Sequence, residues 1–164
     1  CVNPRFLRRA YSDAEWSPPD LRHFVPVSCR FERCKFEDAE MLHTYFGGGL
    51  EDTVYVNCSF DRSSITGTGG NARFISCSFR DVNIYELYAN SVEMIDCKFS
   101  GIVRNAAFIG VVPGDRAAAL GRARNKFQGN DFSEARLFNV ELRNGIALTL
   151  QKLPPDWQKS LTSA

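Results

Sequence analysis

Long apolar runs are missing from this chain. No stretch approaches the roughly 20 consecutive apolar residues that a membrane-spanning helix needs, and no signal-peptide pattern is read at its start. Surplus charge of either sign is missing too. Twenty Lys and Arg against nineteen Asp and Glu leave a formal net charge of +1, so bulk electrostatics makes no case for direct nucleic-acid binding or for a membrane partner. Histidine is scarce, with only His23 and His43, and neither sits in a GxSxG, HExxH or comparable arrangement. Without a nucleophile–base pair, the expectation is that the chain is not an enzyme. Zinc-site spacing is lacking as well, since the nearest cysteines, Cys29 and Cys34, stand five apart with no histidine between them. No metal or cofactor is expected. The run Thr66-Gly67-Thr68-Gly69-Gly70 lacks the GK[ST] ending of a phosphate loop and precedes a strand, so it reads as a corner turn. The chain opens on Cys1 rather than methionine, as a processed or excised segment does.

What is present is a beat of five. The clearest run is Cys29-Arg30-Phe31-Glu32-Arg33-Cys34-Lys35-Phe36, and the same small-then-phenylalanine pair returns as Cys58/Phe60, Cys77/Phe79, Cys97/Phe99 and Asn130/Phe132. Five of the six cysteines (Cys29, Cys34, Cys58, Cys77, Cys97) share one phase relative to a phenylalanine. That marks a packing position rather than a disulfide framework, because a free cysteine behaves as a small buried hydrophobe. An unpaired set suits a reducing compartment, and the expected localisation is cytoplasmic. The Asn57-Cys58-Ser59 sequon is discounted because Cys58 faces the core.

A helix repeats its apolar face every 3.6 residues and a free strand every two, so neither explains a period of five. Four units of five make a coil of about twenty residues, and successive coils stack at roughly 4.8 Å. The expected columns are Phe31, Tyr55, Phe74, Met94 and Phe127; Phe36, Phe60, Phe79, Phe99 and Phe132; and Met41, Ile65, Ile84, Arg104 and Leu137. Phe46, Ala89 and Leu142 are expected as centres of a fourth. Burying each large side chain contributes on the order of 1.5–3 kcal/mol, so the first two columns can carry the domain.

With this many units in phase, residues 27 to 145 resemble the pentapeptide-repeat family. The closest local match is Asn130-Asp131-Phe132-Ser133-Glu134-Ala135-Arg136-Leu137-Phe138-Asn139-Val140-Glu141-Leu142. The resemblance implies an all-β fold, a right-handed parallel quadrilateral β-helix of about five coils with short capping segments. The pattern departs at Arg104, at Ala89, and at the bulky minus-two residues Val82, Leu87, Val92 and Ile102. The alternative architecture is the wider pectate-lyase type of β-helix. Expected boundaries are an N-terminal cap over residues 1–27, the solenoid over 28–145 with an inserted loop at about 105–124, and a C-terminal cap or tail over 146–164. Ser12-Asp13-Ala14-Glu15 reads as a helix capping box, with Trp16 and Phe24 over the first coil. At the other end Leu153-Pro154-Pro155-Asp156-Trp157 reads as a turn into a terminal segment, with Trp157 on the last coil or in a homodimer contact.

The irregularities cluster. Extra residues follow Phe46 (Gly47-Gly48-Gly49-Leu50), one is lost between Ile65 and Phe74, and the long excursion precedes Phe127, so all three are expected on one side of the prism. In the excursion, Asp115 as N-cap and Gly121 as stop predict one or two helical turns. Its candidate binding residues are Asp115, Arg116, Arg122, Arg124 and Lys126. A stretch without Lys or Arg supplies a candidate acidic surface: Glu37, Asp38, Glu40, Glu51, Asp52 and Asp61. The leading functional reading is a bacterial protein-interaction or scaffold module, monomeric or homodimeric, with an unidentified protein partner. The family resemblance implies an alternative, a DNA mimic that protects a type II topoisomerase such as gyrase from inhibitors and so confers antibiotic resistance. A pectate-lyase-like enzyme is the second alternative.

Overall fold

The computed structural model describes residues 6–16, 21 and 23–157. Of the segments expected as caps, residues 1–5, 17–20, 22 and 158–164 lie outside the described residues. The chain runs β1 (Ala10–Ser12), β2 (Arg30–Glu32), β3 (Glu40–Thr44), β4 (Thr53–Val56), β5 (Ser64–Gly67), β6 (Ala72–Ile75), β7 (Ser78–Ala89), β8 (Val92–Ile95) and β9 (Lys98–Ile109). A helix, α1 (Gly114–Leu120), precedes β10 (Phe127–Gln128) and β11 (Asp131–Arg143).

Left-handed corners make the beat of five. In the second coil Ser28, Arg33, Asp38 and His43 have φ of 52°, 51°, 56° and 53°. Each follows a centre by two residues, so every five-residue unit is a short strand and a sharp turn. Asn57, Asp81, Asp96, Asn139 and Asn144 hold the same conformation in later coils, and short polar side chains are the non-glycine residues that tolerate it best. Four corners per coil give the prism four faces. The coils stack in parallel, with sheet order β1-β2-β4-β6-β8-β10 on one face and β11-β9-β7-β5-β3 running over others. Ala10, Arg30, Val54, Arg73 and Glu93 align in one register column. The fold is a parallel β-solenoid of about five turns.

The core follows from that register. Phe36, Phe60, Phe79, Phe99 and Phe132 stack face to face, at centroid distances of 4.9, 4.8, 4.9 and 4.3 Å, with ring planes within 9° of parallel. Phe31, Tyr55 and Phe74 stack in the neighbouring column at 5.1 and 4.7 Å. These spacings match the rise between coils. The minus-two residues have a second role beyond being small. The Sγ–H groups of Cys34, Cys58, Cys77 and Cys97 donate to the carbonyls of Tyr11, Phe31, Tyr55 and Phe74, each one coil earlier. Asn130 continues the ladder, donating from Nδ2 to the Met94 carbonyl and accepting from the Cys97 amide. All five described cysteines are buried and unpaired, and burial pushes the Cys77 thiol up, which keeps it protonated and a donor. The Tyr55 hydroxyl, fully enclosed, donates to the Phe46 carbonyl at 2.7 Å, and burial pushes its pKa up too.

Four sequence expectations change. First, the N-terminal segment is a coil of the repeat in its described residues: β1 pairs with β2, and Phe6 and Leu21 are fully buried. The helix capping box does not form, because Asp13 takes a left-handed corner (φ 54°) after the strand. Trp16 packs into the core, stacked on Phe36 at 5.1 Å. Second, the third-face centre is Val103, not Arg104. Val103 is fully buried and pairs with Ile84 and Leu137, whereas Arg104 is exposed. Gly101 (φ 93°) makes a four-residue step there and stands where Ile102 was expected. A Cβ on Gly101 would run into the backbone of Val82. Gly101→Ala is therefore expected to destabilise by about 1–3 kcal/mol from backbone strain alone, read as a lowered urea midpoint. An unchanged midpoint would contradict this register.

Third, the excursion begins at Gly110 rather than 105, because β9 continues to Ile109 and buries Phe108 as a fourth-face centre. Fourth, α1 starts after Pro113, with Asp115 in its first turn, and ends on left-handed Gly121 (φ 69°). Both insertions thus leave the corner after the fourth face. That face is thin where Gly69 and Ala89 replace large centres, leaving an apolar cavity of about 10 Å³ beneath Phe46, Ile84 and Val92. At the far end the Asp131–Lys152 bridge lays the terminal segment along the last coil, and Leu153 and Trp157 pack on the core.

Candidate interaction edge

The corner between the fourth and first faces gathers residues from distant parts of the chain. Asn71 fixes the Gly47–Leu50 corner: its amide donates to the Gly47 carbonyl at 2.7 Å and its side chain to Leu50 O at 3.0 Å. The α1 segment folds back against the same corner, and the chain after it is pinned by buried Asn125 and half-buried Arg122. Asn125 donates from Nδ2 to the carbonyls of Ile109 (2.8 Å) and Asn90 (3.1 Å). Arg122 makes the larger connection. Its Nη1 donates to both Asp52 oxygens at 2.8 and 2.9 Å, its Nη2 to Ser91 O at 2.9 Å and its Nε to Asn125 Oδ1 at 3.1 Å.

Glu93 completes a quartet. Its side chain is 2% exposed, and it accepts from Arg73 Nε and Nη2 at 3.0 and 2.7 Å and from the Lys126 amide at 2.5 Å. Arg73 also reaches Asp52 at 3.3 Å, and Arg122 lies 3.8 Å from Glu93. Two guanidiniums therefore face two carboxylates, so the buried charge is balanced. Glu93 projects from the outer side of β8 and is buried only because the excursion covers it. It is absent from the residues singled out in the sequence.

The quartet redistributes the candidate residues. Arg122 and Asp52, expected on separate surfaces, are bonded to each other. Arg124 donates to the Gly145 carbonyl at 3.0 Å. Lys126 contributes its backbone amide, with its side chain exposed. Among the acids, Glu37 and Asp38 are engaged by Arg62 at 3.1 and 2.8 Å, and the Arg62 hydrogen bond holds the Asp38 carboxyl below its ordinary range. Asp61 accepts from Ser78 Oγ and the Arg80 amide at 2.6 and 2.9 Å. Glu40 and Glu51 are exposed.

Asp115 and Arg116 remain. They line a groove of about 340 Å³ between α1 and the Gly47–Leu50 corner, together with Tyr45, Leu50 and Leu120. Leu50 is 70% exposed, and Arg116 Nε is buried without a hydrogen-bond partner. The groove thus joins an apolar floor to an unsatisfied cationic donor.

No known protein-family profile matches the chain, and no curated protein matches it in sequence. Among solved structures, two trypsin-treated variants of QnrB1, a plasmid-mediated fluoroquinolone resistance protein, are similar to it. The first is 13% identical, covering 96% of this chain and 94% of that one, with a TM-score of 0.39. The second is 11% identical, covering 97% and 96%, with a TM-score of 0.28. At those values the likeness carries no argument about function. The chain's own geometry defines its fold: the five-residue step, the left-handed corners and the stacked columns make a four-faced parallel β-solenoid, the architecture that the sequence resemblance implies.

Proposed function

We propose that this solenoid is a non-catalytic interaction module that recognises a protein partner along the corner after its fourth face. One observation carries the reading. The longest excursion from the repeat is held by a partly buried ion quartet, so it presents Arg116 beside Tyr45 and Leu50 in a fixed geometry. A preorganised groove binds without first meeting the cost of ordering a loop. Affinity capture from the source cell tests this. A partner retained by the wild type is expected to be lost by Arg116→Ala and by Leu50→Asp but kept by Arg80→Ala on another face. Equal retention by all variants overturns it.

Topoisomerase protection by DNA mimicry is the reading implied by the family resemblance. A mimic needs a run of unneutralised carboxylates, and Arg62, Arg73 and Arg122 engage Glu37, Asp38 and Asp52 instead. That favours the interaction module. A gyrase supercoiling assay with a quinolone separates the two, since shielding would favour mimicry.

A further inference from the structure

The third face carries a second feature, independent of the α1 groove. Strand register places Tyr85, Arg104 and Phe138 side by side on β7, β9 and β11. Their neighbours Ile84, Val103 and Leu137 are the centres pointing inward, so these three point out. The Arg104 guanidinium lies over the Tyr85 ring at 5.2 Å, and Phe138, on its other side, is 53% exposed. Two residues earlier the parallel row reads Asn83, Ile102 and Arg136, which sets Arg136 diagonally across from Arg104, within reach of a shared ligand.

The arginines here differ in their partners from several others on the rod. Three outward arginines of other faces find a carboxylate on an adjoining coil: Arg33 with Asp13, Arg62 with Asp38, Arg73 with Glu93. Among the described residues no carboxylate pairs with Arg104 or Arg136. Stacking on Tyr85 satisfies a face of the Arg104 guanidinium and leaves its N–H edge free for bidentate bonds to a carboxylate. A half-buried tyrosine, an exposed phenylalanine and arginine side by side on a paired sheet are the composition of an interface centre.

We propose that this face is a docking platform for an acidic protein segment, whose carboxylate bridges Arg104 and Arg136 while an apolar or aromatic side chain lies on Phe138. Charge complementarity selects that occupant, since the platform supplies two exposed cations and aromatic surface. A nucleic acid would need cations continuing along the face, but the row of Arg136 and Ile102 runs on through Asn83 and Ser64 to Glu40.

The test uses a random glutamate–tyrosine copolymer as the acidic probe and an oligothymidylate as the nucleic-acid probe, each titrated against the full chain. The copolymer is expected to bind in a salt-sensitive way. Arg104→Ala and Arg136→Ala are each expected to weaken it by about tenfold, and Phe138→Ala by less. Arg116→Ala, in the α1 groove, is expected to leave it unchanged, so failure of this proposal and failure of the groove reading are distinguishable. All four side chains are at least partly exposed, and unchanged urea midpoints would confirm that the variants fold. Copolymer binding that ignores Arg104 and Arg136, depends on Arg116 instead, or is weaker than oligothymidylate binding overturns the proposal.

Discussion

Glu93→Ala is expected to destabilise the protein by about 3 kcal/mol, toward the lower end of the 3–5 kcal/mol that breaking a buried ion pair costs. The carboxylate is almost fully enclosed, while Arg73 is 38% exposed and keeps part of its solvation, which is why the lower figure applies. The substitution strands the Lys126 amide and leaves Arg73 and Arg122 sharing Asp52 alone. The loss is expected to fall unevenly. The excursion should loosen first, because Glu93 and Asp52 are what tie Arg122 and Lys126 to earlier coils. Glu93→Gln is the discriminating companion. It keeps the volume and an acceptor for the amide but leaves two guanidiniums with one carboxylate. If the quartet acts through charge, the glutamine variant is also destabilised, by about 1–2 kcal/mol. If Glu93 only fills space, Glu93→Gln matches the wild type.

Phe79→Ala is expected to cost about 3–5 kcal/mol, the range for removing a buried phenylalanine. Its ring stacks between Phe60 and Phe99 at 4.8 and 4.9 Å and meets Phe74 edge-on at 5.6 Å. The site lies mid-stack, and the backbone on every side is tied to the coil before and after. Collapse around the gap is therefore limited, and the cavity term stays large. Phe132, in the last coil of the same column, has a coil neighbour on one side only in that column. Phe132→Ala should cost less if the terminal segment can settle inward. Urea denaturation of the two variants measures the difference. Equal losses would mean that coil position does not govern the cost.

The sequence made the columns legible because Phe36, Phe60, Phe79, Phe99 and Phe132 keep their phase through every insertion. The same count extends backward through Phe6, Tyr11, Trp16 and Leu21, five apart, so the first coil could have been found. It was hidden by Arg9, which breaks the small minus-two pattern, and by a Ser-Asp-Ala-Glu run that also describes a helix start. The third-face slip was hidden for another reason. Counting five from Phe99 lands on Arg104, and only the left-handed Gly101 reveals a step of four that brings in Val103. Glu93 could not be read at all, since its burial is created by a segment some thirty residues later. The basic excursion and the acidic stretch were both visible as composition. That Arg122 and Asp52 neutralise each other depends on folding across 70 positions, which no local pattern encodes. The same four-residue step turns Arg104 outward beside Tyr85, where a strict count of five puts it in the core.

The excursion from Gly110 to Lys126 is a fixed part of the solenoid, tied to the coils by Glu93, Asp52 and Asn125. Amide hydrogen exchange tests it most directly. Val112 donates to Ala123 O at 3.0 Å, Asn125 to Gly110 O at 2.8 Å and Lys126 to the Glu93 carboxylate. These amides are expected to exchange about as slowly as the strand amide of Asn83, which donates to Ser63 O at 3.0 Å, and to lose that protection in Glu93→Ala. Exchange of Val112, Asn125 and Lys126 at open-chain rates in the wild type, with the strands still protected, would contradict the account.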